Sequence, residues 1–289
     1  MPGIVDGHHG AMRMLSEQHA LRFSCQSCSL QGILSLPATP QARGVLIVTG
    51  GPQYRAGSHR QFALLAQHLA GAGIPVLRFD YRGMGDSEGE VRTYEHLDED
   101  LQAAVATFFD AVPCLQELVI WGLCDGAAAA AYYAHQESRV CGLILLNPWV
   151  RTAPGIARAT LRHYYLARLF DRAFWRKLAS GRIALGAAAR SLRQLSAAAR
   201  ASQSSAGTPA QRLYDALARF QGRVLIVLSG EDLTAREFVD LQQGSAAWRT
   251  LLAAPAVQQV HVAHANHTFS RRLWRDQVAL LCSDWLAAG

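Results

Sequence analysis

The chain has 289 residues, half of them hydrophobic and 17% charged, enough to bury one large core or a core with a lid. No run reaches the ~18 apolar residues of a membrane span. The start, "MPGIVDGHHGAMRMLSEQ", lacks the basic-then-apolar order of a secretory signal, so a cytoplasmic protein without stable membrane insertion is expected.

The net charge of +6 is carried by arginine, with Lys177 the sole lysine. Between Arg151 and Phe220, 13 basic residues stand against Asp171 and Asp215, which gives that segment +11 and leaves −5 for the rest. A basic segment on a mildly acidic body suits an anionic partner, though arginines on a solvated helical face give the same count. No nucleic-acid partner is expected, and the sequence sets no oligomeric state. Six scattered cysteines, Cys25, Cys28, Cys114, Cys124, Cys141 and Cys282, do not form a disulfide framework. Cys25 and Cys28 make a lone CxxC with no second pair, read as two free thiols in a strand or hairpin rather than a zinc site.

Residues 1–18 read as a tail, and residues 19–289 as one domain. "LRFSCQSCSLQGILSLP" alternates apolar and polar residues around a glycine, the pattern of a hairpin. "GVLIVTGG" reads as a buried strand, "HRQFALLAQHLAGAG" as a helix stopped by Gly71 and Gly73, and "IPVLRFDYRGMGDSEG" as a strand breaking into a glycine-rich loop. "LDEDLQAAVATFFDAV" places acids in the first turn of a helix, where the dipole favours them. "ELVIWGLCDG" is a strand and "AAAAAYYAHQ" a helix; "VCGLILLNP", "RVLIVLSGEDL" and "VQQVHVAHANH" are further strands, and "SRRLWRDQVALLCSDWL" a closing amphipathic helix. Strands alternating with helices predict a mostly parallel sheet with helices on both faces. The rhythm breaks at about 151–220, an Arg-, Ala- and aromatic-rich helical stretch that reads as an inserted lid.

"GLCDG" lies between a strand and a helix and has the form of the Gly-x-Ser-x-Gly nucleophile elbow, with Cys124 in place of serine. On so sharp a turn, side chains at Gly122 and Gly126 would crowd the neighbouring strand and helix. The competing reading, a core cysteine beside a tight turn, is weakened by three further features. "VTGGPQYRAG" follows the first buried strand, where this fold keeps an oxyanion-binding N–H; Pro52 has none, so Gly51 is the donor, joined by the N–H of Asp125. "FDYRGMGDSEG" matches the superfamily's Asp-x-Arg-Gly-x-Gly-x-Ser loop, in which Asp80 and Arg82 are expected to pair. Asp232 and His267 close two successive late strands, as an acid and a base must. Glu231 is an alternative acid, because the superfamily acid more often stands three residues after the glycine, where Leu233 sits. His264 is an alternative base, and His261, His264 and His267, spaced by three, also raise a metal reading. His59 falls near the expected site mouth or at a solvated helix start.

These segments, with "GGPQYRAGSHRQF", "NPW", "HYY…FWRKL", "SGEDLTAREF" and "ANHTFS", resemble the type 1 hydrolases associated with the exosortase A system, from about Leu21 onward. The resemblance implies an α/β-hydrolase fold and a Cys-His-Asp triad, and leaves the substrate open. The expected activity is hydrolysis of an ester or thioester, with Cys124 as nucleophile, His267 as base, Asp232 orienting it, and Gly51 and Asp125 binding the oxyanion. No cofactor or metal is required. A small-molecule or carrier-bound acyl substrate is expected. An acyltransferase using the same residues, and a non-catalytic binding protein of this fold, are the alternatives.

Overall fold

The computed structural model describes residues 16–51, 53–150 and 207–288. Two strands, β1 (Ser16–Cys25) and β2 (Cys28–Pro37), are followed by β3 (Arg43–Val48), α1 (Gln61–Gly71), β4 (Val76–Asp80), α2 (Asp98–Ala111) and β5 (Glu117–Leu123). Next come α3 (Asp125–Ala134), β6 (Val140–Leu146), α4 (Pro209–Arg219), β7 (Arg223–Ser229), α5 (Leu233–Gly244), α6 (Ala246–Leu252), β8 (Val257–Val262) and α7 (Arg272–Ala287). The eight strands form one sheet in the order β1-β2-β4-β3-β5-β6-β7-β8. The β1–β2 and β2–β4 pairs are antiparallel, and the others are parallel.

Parallel strands need covered faces, and the residues supply them. Val45, Ile47, Trp121 and Ile144 meet Phe62, Leu69, Val278 and Trp285 of α1 and α7 on one side. Leu46, Ile120, Leu143 and Ile226 meet Leu101, Phe108, Leu213 and Phe238 of α2, α4 and α5 on the other. Phe62, Leu69, Leu101 and Phe108 have no exposed surface, so each contributes about 1.5–3 kcal/mol by burial. All these helices pack against the central strands, and the strand ends at β5, β6 and β7 are thereby held in fixed register.

Three local features differ from the sequence reading. The hairpin turns at Gln26, with φ 53° and Cys25 paired across to Cys28, and not at its glycine. Gly32 lies inside β2, where a Cβ would press on Leu77 at 3.2 Å. Second, Asp80 and Arg82 do not pair. Asp80, fully buried at the end of β4, takes Arg55 from the loop after β3, whereas Arg82, past the strand end, turns toward α2 and grips Asp100 with Nε and Nη2, at 2.8–3.1 Å. The chain bends between them, so the i, i+2 rule of an extended strand stops applying. Third, two helices, α5 and α6, separate β7 from β8. Of the expected lid, residues 151–206 lie outside the described residues, as does most of the expected tail; β1 begins at Ser16. Among the described residues, no helix is long and apolar enough to cross a membrane.

Candidate active site

Cys124 is the single residue between β5 and α3, at φ 61° and ψ −122°. A non-glycine residue rarely adopts positive φ, and the surroundings must hold it there. Its N–H donates to the Leu146 carbonyl at 2.8 Å, and its carbonyl accepts from Trp149 N–H at 3.2 Å. The flanking glycines make the turn possible. A Cβ on Gly122 would lie 2.5 Å from the Gly126 carbonyl oxygen, and one on Gly126 would lie 2.7 Å from that of Val48.

Asp232 is the N-cap of α5, its Oδ2 accepting from Ala235 N–H at 3.0 Å. The same oxygen meets His267 Nδ1 at 3.0 Å. Burial works against the Asp232 carboxylate, but the hydrogen bond and charge of His267 and the N–H groups of Ala235 and Thr234 outweigh it and lower its pKa. The bonds to Asp232 and then Cys124 push the imidazole up to about 10 against the opposing effect of burial. With Nδ1 committed to Asp232, the other ring nitrogen is left for the sulfur.

The rival pair exists too, but elsewhere. His264 Nδ1 meets Glu231 at 3.2 Å with 83% and 61% of the two side chains exposed, whereas His267 and Asp232 are 34% and 10% exposed. The N-cap geometry explains the difference, since Asp232 turns back over the end of α5 while Glu231 projects to solvent. His261 faces Gln259, so the three histidines diverge. His59 is exposed at the start of the α1 region.

Gly51 sits at φ 58° in the loop after β3, with no atom of the described residues within 4 Å of the place a Cβ would take. The Tyr81 hydroxyl donates to its carbonyl at 3.3 Å, and the Arg55–Asp80 ion pair holds the same loop against β4. The Asp125 carboxylate accepts from Gly126 N–H at 3.0 Å. Burial raises its pKa, against the opposing effect of the backbone N–H groups of Gly51, Gly126 and Asp125 and of the nearby His267.

Sequence reasoning missed Asn147. It is fully buried and adopts φ 45° directly after β6. Its Nδ2 donates to the His267 carbonyl at 3.0 Å, and its Oδ1 accepts from Ser229 N–H at 2.9 Å and Ser229 Oγ at 3.2 Å. One side chain thus ties the ends of β6 and β7 to the histidine loop. The available signal was a lone amide closing the apolar run "GLILLNP".

A strained turn after a central parallel strand, with a carboxylate–histidine pair carried by later strand ends, is the arrangement of an α/β-hydrolase. Residues 40–226 match the family model of the serine aminopeptidases, S33, and the chain belongs to that family. Cysteine stands at position 124 in a family named for serine. A monoacylglycerol lipase from Mycolicibacterium smegmatis is 27% identical over 118 residues, which are 40% of this chain and 41% of that protein. The match therefore spans about two fifths of the relative's length. An esterase from Pyrococcus furiosus superposes with a TM-score of 0.67 at 15% identity, over 94% of this chain and 91% of that one. Est1E from Butyrivibrio proteoclasticus, with ferulic acid bound, gives 0.61 at 15% identity over 93% and 98%. A dienelactone hydrolase from Anabaena variabilis gives 0.57 at 16% identity over 94% and 98%. At these identities the likeness is one of fold.

Proposed function

We propose that the chain is an esterase or thioesterase that works through an acyl-Cys124 intermediate. The observation that carries this reading is the His267–Asp232 pair, 3.0 Å apart, together with Cys124 presented on a positive-φ turn at the N-terminus of α3. Cys124 sulfur attacks the substrate carbonyl carbon while its proton resides on His267. The carbonyl oxygen becomes an oxyanion bound by the N–H groups of Gly51 and Asp125; one such donor is worth about 3–4 kcal/mol in transition-state stabilisation. The tetrahedral species collapses, and the departing alcohol or thiol takes the imidazolium proton. Water then gives a proton back to His267 as it adds to the acyl-Cys, and the carboxylic acid leaves as the thiol reforms. Asp232 keeps the ring in one tautomer throughout.

An acyl substrate fits the resemblance to a monoacylglycerol lipase and to esterases. The +11 segment, Arg151 to Phe220, extends the proposal to an inserted lid that receives an anionic carrier of the acyl group. The resemblance to exosortase-associated hydrolases points the same activity toward exopolysaccharide pathways. The test is Cys124→Ala, which should fold and lose turnover, with Cys124→Ser a poor enzyme. Intact-mass detection of an acyl adduct on the wild type, absent from Cys124→Ala, identifies the acyl group. Full esterase activity in a folded Cys124→Ala variant removes the mechanism.

A further inference from the structure

The face of the sheet covered by α1 and α7 holds a cavity of about 550 Å³ between the two helices. That volume falls within the range of about 300–1,000 Å³ usual for small-molecule sites. Its walls are apolar: Phe62 and Leu65 from α1, Trp121 and Leu146 from the sheet, Phe269 from the loop before α7, and Val278 from α7 itself. Cys124, Asp232 and His267 do not line it. Three arginines do: Arg60, Arg272 and Arg275. Arg60 and Arg272 are exposed, which places them at the mouth. Among the described residues, Asp276 is the one carboxylate of the lining, and it already takes Arg272 Nε at 3.3 Å and Arg275 Nη2 at 2.8 Å. Arg60 is left with no carboxylate at the cavity.

These arginines also stand where the backbone disfavours them. A helix N-terminus carries partial positive charge and favours acids. The helix α2 obeys, with Asp98, Glu99 and Asp100 in its first turn. Neither α1 nor α7 has an acid in its first turn, and their N-caps are Arg60 and Arg271, with no side-chain cap. Arg272 then opens α7. Positive side chains at two positive helix ends, beside an apolar cavity, are a local conflict that an anionic group at the mouth relieves. We propose that this cavity binds a single-chain carboxylate amphiphile, a fatty-acid anion in chemical class. Its chain lies between α1 and α7, and its carboxylate meets Arg60, Arg272 and Arg275. Guanidinium groups suit that head because their paired N–H donors match the two oxygens of a carboxylate. The chain suits the walls because it takes their apolar surface out of water.

The experiment is titration calorimetry of the full chain with dodecanoate, kept below the concentration at which it forms micelles. One saturable site is expected. Dodecanol, with the same chain and no charge, should bind about tenfold more weakly or worse, and acetate, with the charge and no chain, should give no measurable binding. The triple variant Arg60→Gln, Arg272→Gln, Arg275→Gln should raise the dodecanoate Kd by about tenfold or more, because it removes the charge-assisted bonds. Ala279→Phe, on the cavity lining, puts a ring where the chain would lie and should weaken binding with no change of charge. If that variant does not fold, the arginine variant and the comparison with dodecanol decide the question. Absence of a saturable site, dodecanol binding as tightly as dodecanoate, or unchanged affinity in the folded arginine variant overturns the proposal. Binding to phosphatidylglycerol vesicles with no dodecanoate site also overturns it and makes this face a membrane surface. None of these titrations needs turnover, so they stand or fall apart from the reading of Cys124 as nucleophile.

Discussion

Asn147 and His267, 120 residues apart in the chain, are joined by a hydrogen bond of 3.0 Å from the Asn147 side-chain amide to the His267 carbonyl. The same amide holds Ser229 at the end of β7, three residues before Asp232. The relative placement of His267 and Asp232 therefore passes through one buried side chain at the end of a third strand.

Asn147→Ala removes those bonds and leaves a buried N–H and a carbonyl without partners, at a cost of about 2–4 kcal/mol. It also places alanine at φ 45°, where asparagine is tolerated and alanine is strained. Asn147→Gly relieves the backbone but not the lost bonds. Chemical denaturation should rank Gly above Ala in stability, while kcat should fall by about tenfold or more in both, with KM little changed. If Asn147→Gly keeps full kcat, the amide does not position the histidine.

Asp232→Asn should lower kcat by about 10³–10⁴-fold, because the amide favours the wrong imidazole tautomer. Glu231→Gln should stay within about twofold, because its partner His264 is solvent-exposed. The pH dependence carries the same information. His267 is raised to about 10 chiefly by Asp232, so its proton stays on the ring as pH rises and is lost only near that value. The leaving group needs that proton, so wild-type kcat/KM should fall on the alkaline side near pH 10. In Asp232→Asn the alkaline limb should move down toward the ordinary histidine value of 6.5. Unshifted limbs in Asp232→Asn would assign the acid elsewhere.

Gly122→Ala tests the elbow directly. The added methyl would meet the Gly126 carbonyl oxygen at 2.5 Å and Ala127 Cα at 2.7 Å, both parts of the backbone of α3. Neither can rotate away, so a loss of about 1–3 kcal/mol is expected, and more if α3 cannot shift. Thermal denaturation reads it. Gly244→Ala, where no atom of the described residues lies within 4 Å of the new methyl, is the control and should leave the midpoint unchanged or higher.

Charge in the segment from Arg151 to Phe220 gives a test of the carrier. If its +11 receives an anionic acyl carrier, kcat/KM for a coenzyme A thioester should fall steeply with salt, since exposed charges are screened beyond ~8 Å at physiological ionic strength. A p-nitrophenyl ester should show almost no salt effect in the same preparation. Neutralising Arg172, Arg176 and Lys177 together should flatten the curve for the thioester alone. Equal curves for both substrates would leave the arginines as a solvated face.

Local sterics made much of this protein legible from its sequence. The alternation of apolar strands and helices determined the covered, mostly parallel sheet, because each element's pattern reports which of its own faces is buried. "GLCDG" announced the turn at Cys124, because the glycine requirement arises among residues a few positions apart. Direction and partnership over longer separations were decided only by the tertiary structure. Arg82 pairs with Asp100 on α2 and not with its near neighbour Asp80, because the chain bends after β4. Asp232 meets His267 while Glu231 pairs in solvent with His264, because capping α5 points one carboxylate inward and leaves its neighbour outside. Asn147 ties the ends of β6 and β7 to the His267 loop for the same reason. A side chain's partner is set by where distant elements converge, and spacing along one chain does not record that convergence.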